Sequence, residues 1–265
     1  MAEELLDVAI RLAHDAGELL LDYAGGRSLG VRTKTSETDP VSDADHAAEQ
    51  LITDRLAEAC PEDGILAEEE ADHSGASGRT WIIDPLDGTV NYLYGIPSWC
   101  VSIACEDTEG LLVAAIHDPS RGETFTAARG QGAWLNADRI ATTDASFERA
   151  LIATGFAYDS QVRVGQGHVL AELLGVVRDV RRVGAAALDL AWTACGRFDG
   201  FYEFDLKRWD VAAGNLIVAE AGGIVSEHTI PLAGRELFSL FAGGGRVHER
   251  LEEFVLSRTR GPSPT

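Results

Sequence analysis

The sequence predicts a layered α/β protein, with an α+β half at the N-terminus and an α/β half at the C-terminus. Three observations lead to this fold class. Two N-terminal segments carry apolar residues at helical spacing, short apolar runs follow them, and strand-like and helix-like segments alternate in the second half. We expect a boundary near residues 142–148, so that residues 1–143 and 144–260 form the two units and residues 261–265 a tail.

Two amphipathic helices are expected first. Residues 3–24 place leucines and alanines at helical spacing and end at Gly25 and Gly26, which favour a helix stop. Residues 43–60 carry acidic side chains in their first turn, where the helix dipole stabilises them, and Pro61 follows as a helix breaker. Both segments are therefore predicted to pack one apolar face on the rest of the protein.

Strand patterns follow these helices. The N-terminal half contains five apolar runs that we interpret as strands, at residues 65–67, 81–83, 100–107, 111–118 and 123–128. The third and fourth are separated by only three residues, which predicts a hairpin. In the C-terminal half, strands are predicted at 151–154, 180–183, 198–203, 223–226 and 237–242, and helices at 163–177, 186–196, 208–221 and 246–257. This alternation is typical of α/β domains.

The charge balance excludes several classes of function. The 265 residues include 22 Lys and Arg against 43 Asp and Glu, a formal net charge of −21. Such a chain repels polyanions, so neither a nucleic acid nor a membrane is an expected partner. The N-terminus is acidic, unlike a signal peptide, and the four cysteines show no zinc or redox spacing. We therefore expect a cytoplasmic protein.

Three acidic clusters lie beside apolar runs. They are residues 68–70, residues 84–87 and Asp210. Each alone is typical of a solvent-exposed strand end, a turn or the first turn of a helix. Carboxylates that converged from separate strands would repel one another unless cations lay between them, and oxygen ligands select hard cations such as Mg²⁺. Together the clusters predict a magnesium site.

The six residues that follow the second strand combine the groups that phosphoester chemistry needs. Asp84 and Asp87 can each reach a different ion, and the Leu86 carbonyl between them is a further ligand. Gly88 and Thr89 are predicted to open a helix, whose free N–H groups favour a phosphate. The threonine hydroxyl can hold a water molecule. This combination predicts a phosphoester hydrolase site.

In this order, the motifs resemble the inositol monophosphatase family of Mg²⁺-dependent, lithium-sensitive phosphatases. The resemblance extends over roughly residues 5–255, and its motifs are residues 39–45, 65–69, 81–92, 184–189, 201–203 and 209–214. It implies the αβαβα sugar-phosphatase fold of that family and a homodimer. It also implies that the substrate is a small phosphorylated polyol or sugar.

The resemblance assigns the metal ligands residue by residue. Glu68, Asp84 and the Leu86 carbonyl would hold a first Mg²⁺. Asp84, Asp87 and Asp210 would hold a second, and Glu68 would help to hold a third through water molecules. Two to three ions per site are therefore expected.

The resemblance also assigns the catalytic groups. A water molecule held by the metal would attack the phosphate, oriented and deprotonated by Glu68 and by the pair formed by Asp45 and Thr89. Gly88 and Thr89 would bind the phosphate through their backbone N–H groups. No covalent phosphoenzyme is needed.

Further family positions correspond to the alcohol part of the substrate. They are Asp87, Gly184, Ala185, Ala186 and Glu203, of which Glu203 would accept hydrogen bonds from ring hydroxyls. Ala185 stands where many family members carry Ser or Thr. This change leaves the identity of the substrate open without affecting the metal ligands.

Other residues have two possible roles. Lys34 matches a family lysine near the site, but a surface role is equally compatible with the sequence. Glu69 is a secondary family position that we expect to be structural rather than a direct ligand. Arg181 and Arg182 suit a phosphate clamp, a subunit contact or a surface strand flank, and the glycines at 243–245 suit a turn.

Myo-inositol 1-phosphate is the expected substrate. Alternatives within the family are histidinol phosphate, fructose 1,6-bisphosphate and 3′-phosphoadenosine nucleotides. A non-catalytic cation-binding or regulatory protein on the same fold, or a calcium buffer, is an alternative of another class. The complete set of acids argues against the former, and the sequence lacks an EF-hand loop.

Overall fold

The computed structural model describes residues 2–26, 31–33, 40–69 and 71–259. Seven α-helices lie in this part of the chain: α1 (Ala2–Gly26), α2 (Asp43–Ala59), α3 (Thr89–Leu93), α4 (Ser160–Leu173), α5 (Ala186–Ala194), α6 (Arg208–Glu220) and α7 (Gly245–Thr259). The strands before residue 145 are β1 (Val31–Thr33), β2 (Pro40–Ser42), β3 (Gly64–Ala67), β4 (Asp72–His73), β5 (Thr80–Asp87), β6 (Cys100–Asp107), β7 (Gly110–Asp118), β8 (Glu123–Ala128), β9 (Gly132–Leu135) and β10 (Asp138–Ile140). A short 3₁₀ helix (Phe147–Arg149) precedes β11 (Leu151–Thr154), β12 (Asp179–Arg181), β13 (Gly200–Phe204), β14 (Ile224–Leu232) and β15 (Arg235–Gly243).

Eight strands form the first sheet, in the order β10-β9-β8-β7-β6-β5-β3-β4. All neighbours are antiparallel except β3 and β5, which are parallel. The predicted hairpin of residues 100–107 and 111–118 is confirmed as β6 and β7. Side chains alternate between the faces of this sheet: Ile82 packs on one side, while Trp81 and Ile83 pack on the other with α1 and α2.

Five strands form the second sheet, in the order β12-β11-β13-β15-β14. β11 lies parallel to β12 and β13, and β15 is antiparallel to β13 and β14. Helices α5 and α6 contact strands of both sheets, and α4 and α7 cover the far side of the second sheet. The layers are therefore α1/α2, first sheet, α5/α6, second sheet and α4/α7, which confirms the αβαβα arrangement.

The close contact of the two middle helices depends on Gly214. A Cβ atom at this position would lie 2.5 Å from the Leu190 side chain. The buried faces of α5 and α6 are rich in alanine, which lets both sheets approach the helical layer. The site described below lies at one end of this layer.

Some elements differ from the sequence prediction. The hairpin of β9 and β10 was not expected, because its strands are too short to show a recognisable alternation of polar and apolar residues. The strand β14 extends to Leu232, well beyond the expected 223–226, since it pairs with β15 along its whole length. Helix α4 begins at Ser160, three residues early, where Asp159 accepts hydrogen bonds from two backbone N–H groups. None of the described helices combines the length and apolar character needed to cross a membrane.

Candidate metal and phosphate site

A cavity of about 620 Å³ opens where residues of both sheets and of α6 meet. Its lining is acidic at one end. The acidic residues of the lining include Glu68, Asp84, Asp87, Glu203 and Asp210. Residues that are far apart in the sequence thus meet at one concave surface, as the acidic clusters predicted.

A bulge in β5 determines the direction of the two aspartates. Asp84 pairs with Ser102 and Asp87 with Cys100, so three residue steps on β5 oppose two on β6. Two residues three apart on a regular strand would face opposite sides of the sheet, and the extra residue restores them to the same side. Leu86 faces the core on the other side, packed with the residues under α1 and α2. The sequence predicts these aspartates in a turn beyond the strand; they lie within its last four residues instead.

Asp87 is held by the start of α5. Its carboxylate oxygens accept hydrogen bonds from the backbone N–H groups of Ala186 (3.2 Å) and Ala187 (2.7 Å). These N–H groups belong to the first turn of the helix, which lacks internal acceptors and favours an anion. The bonds orient the carboxylate and connect the first sheet to the middle layer.

Asp210 lies in the first turn of α6. Its Oδ2 accepts a hydrogen bond of 2.6 Å from the backbone N–H of Lys207, which precedes the helix. Asp210 also lines the cavity. Asp210 is therefore a hydrogen-bond acceptor at the start of the helix and also a candidate metal ligand.

Burial and mutual repulsion raise the pKa values of these acids. Burial is the largest cause for Asp84, whose pKa lies well above its usual range, and the charges of Glu68 and Asp87 raise it further. The pKa of Asp210 is raised well above its usual range, first by burial and then by Glu68. Burial also raises the pKa of Asp87 to about 6, against the effect of the Ala187 N–H. A bound cation would reverse these shifts.

The carboxylates face one cavity, but they do not form a finished ligand set. Within the described ranges, no three His, Cys, Asp or Glu residues converge closely enough to hold a metal ion. The chemistry of the donors fits Mg²⁺, because the carboxylates of Glu68, Asp84, Asp87 and Asp210 line one cavity, whose volume leaves space for water and phosphate.

The hydroxyl of Thr89 lies between two oxygen acceptors. It is 3.3 Å from Asp45 Oδ2 and 3.1 Å from the carbonyl oxygen of Leu86. Asp45 is fully buried in α2 and Thr89 is also buried, so this contact is shielded from bulk water. The pairing of Asp45 and Thr89 expected from the sequence is present.

Gly88 needs its lack of a side chain. Its φ of +92° is left-handed, and a Cβ atom would lie 2.9 Å from the carbonyl oxygen of Ser98. It directly precedes α3, so its backbone and that of Thr89 border the cavity. Asn91, which sequence reasoning missed, ties α3 to the substrate-side segment: its Nδ2 donates to Ser98 O (2.7 Å) and Val183 O (2.9 Å).

The substrate-side residues also border the cavity. Gly184, Ala185, Ala186 and Glu203 line it together with Asp87. Burial raises the pKa of Glu203 to about 8, partly offset by the positive charge of Arg182. The lining thus continues from the acidic end to a second group of polar side chains.

Arginines 181 and 182 have different surroundings. Arg181 pairs with Asp179 at 2.6 Å on the surface, whereas Arg182 lines the cavity. Lys207 and Arg235 also reach this lining, which no sequence motif indicated. Lys207 precedes α6 and Arg235 begins β15, and only the tertiary structure brings them to the site.

Three predicted residues are not placed at the cavity. Asp45 is absent from its lining and contacts the lining residue Thr89. Glu69 is absent from its lining; its backbone N–H donates to Glu49 Oε2 (2.7 Å), and its carboxylate lies 3.9 Å from His46. This agrees with the structural role expected for it. Lys34 lies outside the described residues.

A layered αβαβα fold with an acidic cavity beside a glycine-threonine helix start is typical of phosphatases that hydrolyse phosphoric monoesters. The sequence model of the inositol monophosphatase family matches residues 1–253. The chain belongs to the inositol monophosphatase family and is a phosphoric monoester hydrolase.

Known relatives cover most of the chain. The Nus factor SuhB of Pseudomonas aeruginosa is 42% identical over 235 residues, which is 86% of either protein. The inositol-1-monophosphatase of Mycobacterium bovis is 41% identical over 255 residues, covering 92% of this chain and 87% of the relative. The crystal structure of the extragenic suppressor protein SuhB from Bartonella henselae matches with a TM-score of 0.88 at 36% identity. The match covers 98% of this chain and 100% of that protein.

Proposed function

We propose that the protein is a Mg²⁺-dependent inositol-1-monophosphatase, which converts myo-inositol 1-phosphate and water to myo-inositol and phosphate. The observation that carries the proposal is the bulge in β5. It directs Asp84 and Asp87 into the same cavity as Glu68 and Asp210. The lining continues from these acids to Glu203, so a phosphate and its polyol can be held side by side.

The acids supply the ligands for two to three Mg²⁺ ions. Glu68, Asp84 and the Leu86 carbonyl would hold one ion, and Asp87 and Asp210 would join Asp84 around a second. When bound, Mg²⁺ makes water a stronger acid and neutralises the charge of the phosphate. The raised pKa values of Asp84 and Asp210 support this assignment, because burial and the neighbouring Glu68 oppose their ionisation and a bound cation would favour it.

The protein groups then orient the reactants. Thr89 Oγ1, held near Asp45 Oδ2, is placed to accept or pass on the proton of the attacking water, with Glu68 as the second group. The N–H groups of Gly88 and Thr89 bind the phosphate oxygens. Glu203 accepts hydrogen bonds from polyol hydroxyls, and Asp87, Gly184, Ala185 and Ala186 form the rest of that wall.

The experiment is a comparison of substrates. Purified protein with Mg²⁺ is assayed on myo-inositol 1-phosphate, histidinol phosphate, fructose 1,6-bisphosphate and 3′-phosphoadenosine 5′-phosphate. We expect the highest kcat/KM for inositol phosphate and inhibition by lithium. A higher kcat/KM for histidinol phosphate would overturn the substrate, and no Mg²⁺-dependent turnover of any would overturn the activity. Gel filtration tests the homodimer, and fractionation of cells the cytoplasmic location.

A second candidate is a regulatory role. It is favoured by the name Nus factor, which the relatives from Pseudomonas aeruginosa and Salmonella typhimurium carry at 42% and 40% identity. The two roles are separated by expressing wild type and Asp84→Asn in a Pseudomonas aeruginosa strain that lacks its own Nus factor SuhB. Rescue by both proteins indicates a role independent of the metal ligands, whereas rescue by the wild type alone indicates catalysis.

A further inference from the structure

Gly155 lies directly against the carboxylate of Glu203. A Cβ atom on Gly155 would be 2.0 Å from Glu203 Oε1 and 2.2 Å from both Cδ and Oε2. These distances are far below van der Waals contact. The φ of Gly155 is not in the left-handed region, so the glycine is required here for space and not for its conformation.

The second sheet brings these two residues together. β11 ends at Thr154, which lies opposite Tyr202 in the parallel pair of β11 and β13. Gly155 follows Thr154 and Glu203 follows Tyr202, so the two residues lie side by side at the end of the strands that borders the cavity. Gly155 is also held from α4, because the buried Gln166 side chain contacts its carbonyl oxygen at 3.5 Å and accepts from the Ala157 N–H at 3.0 Å.

We propose that Gly155 is a positioning residue for substrate specificity: the space left by its missing side chain seats the Glu203 carboxylate where it can bind the hydroxyls of a polyol phosphate. This inference rests on the proposed function and adds a residue that the recognised motifs do not contain. It assigns the selection of a hydroxylated leaving group to the end of β11, across the cavity from the metal ligands.

The geometry predicts which part would yield to an added methyl group. Gly155 belongs to a backbone held by the sheet and by Gln166, whereas the Glu203 carboxylate is the far end of a flexible side chain. In Gly155→Ala we therefore expect the carboxylate to move and the fold to remain. A change in substrate recognition without a comparable loss of stability is the consequence.

The test compares two phosphate esters. For Gly155→Ala we expect kcat/KM on inositol 1-phosphate to fall about 3- to 10-fold, the loss of one hydrogen bond, mainly through a higher KM. Turnover of p-nitrophenyl phosphate, whose leaving group has no hydroxyl for Glu203, stays within about twofold. Equal losses on both substrates would overturn the proposal.

Gly167→Ala is the matched control. Gly167 is a glycine of α4, and no atom lies within 4 Å of the position that an added methyl group would take. Both activities should therefore stay at the wild-type level, while the melting temperature stays the same or rises by a few degrees, because alanine favours a helix more than glycine does. In the double variant Gly155→Ala/Glu203→Gln, the glycine change should add nothing to the effect of Glu203→Gln. Additive losses would show that Gly155 acts through other groups.

Crystal structures of the wild type and of Gly155→Ala test this inference independently of the proposed function. Wild type that hydrolyses neither ester with Mg²⁺ would refute the proposed function. The position of Glu203 in wild type and Gly155→Ala still decides the inference: displacement of its carboxylate supports the positioning role, and an unmoved carboxylate with a shifted backbone at residues 154–156 overturns it.

Discussion

The carboxylate of Asp87 accepts a hydrogen bond of 2.7 Å from the backbone N–H of Ala187. This bond joins a strand of the first sheet to the start of a middle-layer helix, 100 positions further along the chain. Asp87 is therefore a structural residue as well as a metal-ligand candidate. Its two roles can be separated by measuring stability without metal.

Asp87→Ala is expected to lower the free energy of unfolding by about 1–2 kcal/mol, because the buried Ala187 N–H loses its acceptor. Relief of repulsion with Glu68 offsets part of the loss. Urea unfolding in EDTA measures this change. Asp87→Asn keeps one carbonyl acceptor and should lose less, and the prediction is refuted if both variants equal wild type.

Asp84→Asn should have the opposite effect on the metal-free protein. Asp84 is buried and its ionisation is opposed by burial, Glu68 and Asp87, so a neutral amide removes repulsion while its carbonyl can keep the bond from the Leu86 N–H. We expect the melting temperature in EDTA to rise by about 2–5 °C, which corresponds to a gain of about 1 kcal/mol or slightly more in the free energy of unfolding. The stabilisation by Mg²⁺ and the Mg²⁺-dependent turnover should disappear.

Thermal scans with and without Mg²⁺ check this, with exposed Asp138→Asn as the control. The control should show the wild-type melting temperature and the wild-type response to Mg²⁺. An Mg²⁺ response of Asp84→Asn equal to that of wild type would remove this aspartate from the ligand set.

Local patterns predicted most of the fold and the identities of the acids, but not their geometry. The helix predicted at residues 43–60 is present as Asp43–Ala59. It could be predicted to within one residue because apolar periodicity and the helix breaker Pro61 are local signals. The bulge between Asp84 and Asp87 depends on the register of β6, which no local pattern carries. The seat of Glu203 against Gly155 likewise requires β11 and β13 to be neighbours, and a lone glycine after a strand does not indicate that.

The carboxylate of the buried Asp63 pairs with Arg79, and its removal is expected to lower the stability strongly. Asp63, 3% exposed, forms an ion pair with Arg79 Nη2 (2.8 Å) and accepts hydrogen bonds from Arg79 Nε (3.1 Å) and Trp81 Nε1 (2.9 Å). Burial alone would raise the pKa of Asp63, but the hydrogen bonds from Arg79, Ser77 and Trp81 outweigh it and hold the pKa below its usual value. Asp63→Ala should cost about 3 kcal/mol, since it leaves Arg79 and Trp81 without their acceptor.

The matched control is Asp179→Ala, which removes a surface carboxylate bonded to Arg181 at 2.6 Å. Both side chains of that pair are about half exposed, so the change should stay within about 0.5 kcal/mol. Because the pKa of Asp63 is lowered in the folded state, its contribution is present above the unfolded value near 3.8 and is lost as pH falls through the folded value. Denaturant unfolding at pH 7 and pH 3 measures both effects, and equal losses from the two substitutions would contradict the prediction.

The buried side chain of His117 is expected to lower the stability of the folded protein in mild acid. Its ring is buried on β7, stacks on His14 at 4.2 Å and contacts Thr124 Oγ1 at 3.0 Å. Burial and then the charge of His14 lower its pKa to about 4. Between pH 6.5 and 4 the unfolded chain binds a proton that the folded protein excludes, so this residue costs stability as pH falls, by at most about 1.4 kcal/mol per pH unit.

The site acids act in the opposite sense over part of the same range. The pKa values of Asp87 and Glu203 are raised to about 6 and about 8, so the folded protein binds these protons first and gains stability as pH falls. The sign of the total slope therefore does not isolate the histidine, but the difference between wild type and His117→Gln does, because the acids are common to both. We expect the variant to lose less stability between pH 6.5 and 4.5 in urea titrations, while His73→Gln, at an exposed ring, follows wild type. Parallel curves for His117→Gln and wild type would mean that the folded protein protonates this ring as readily as the unfolded chain does.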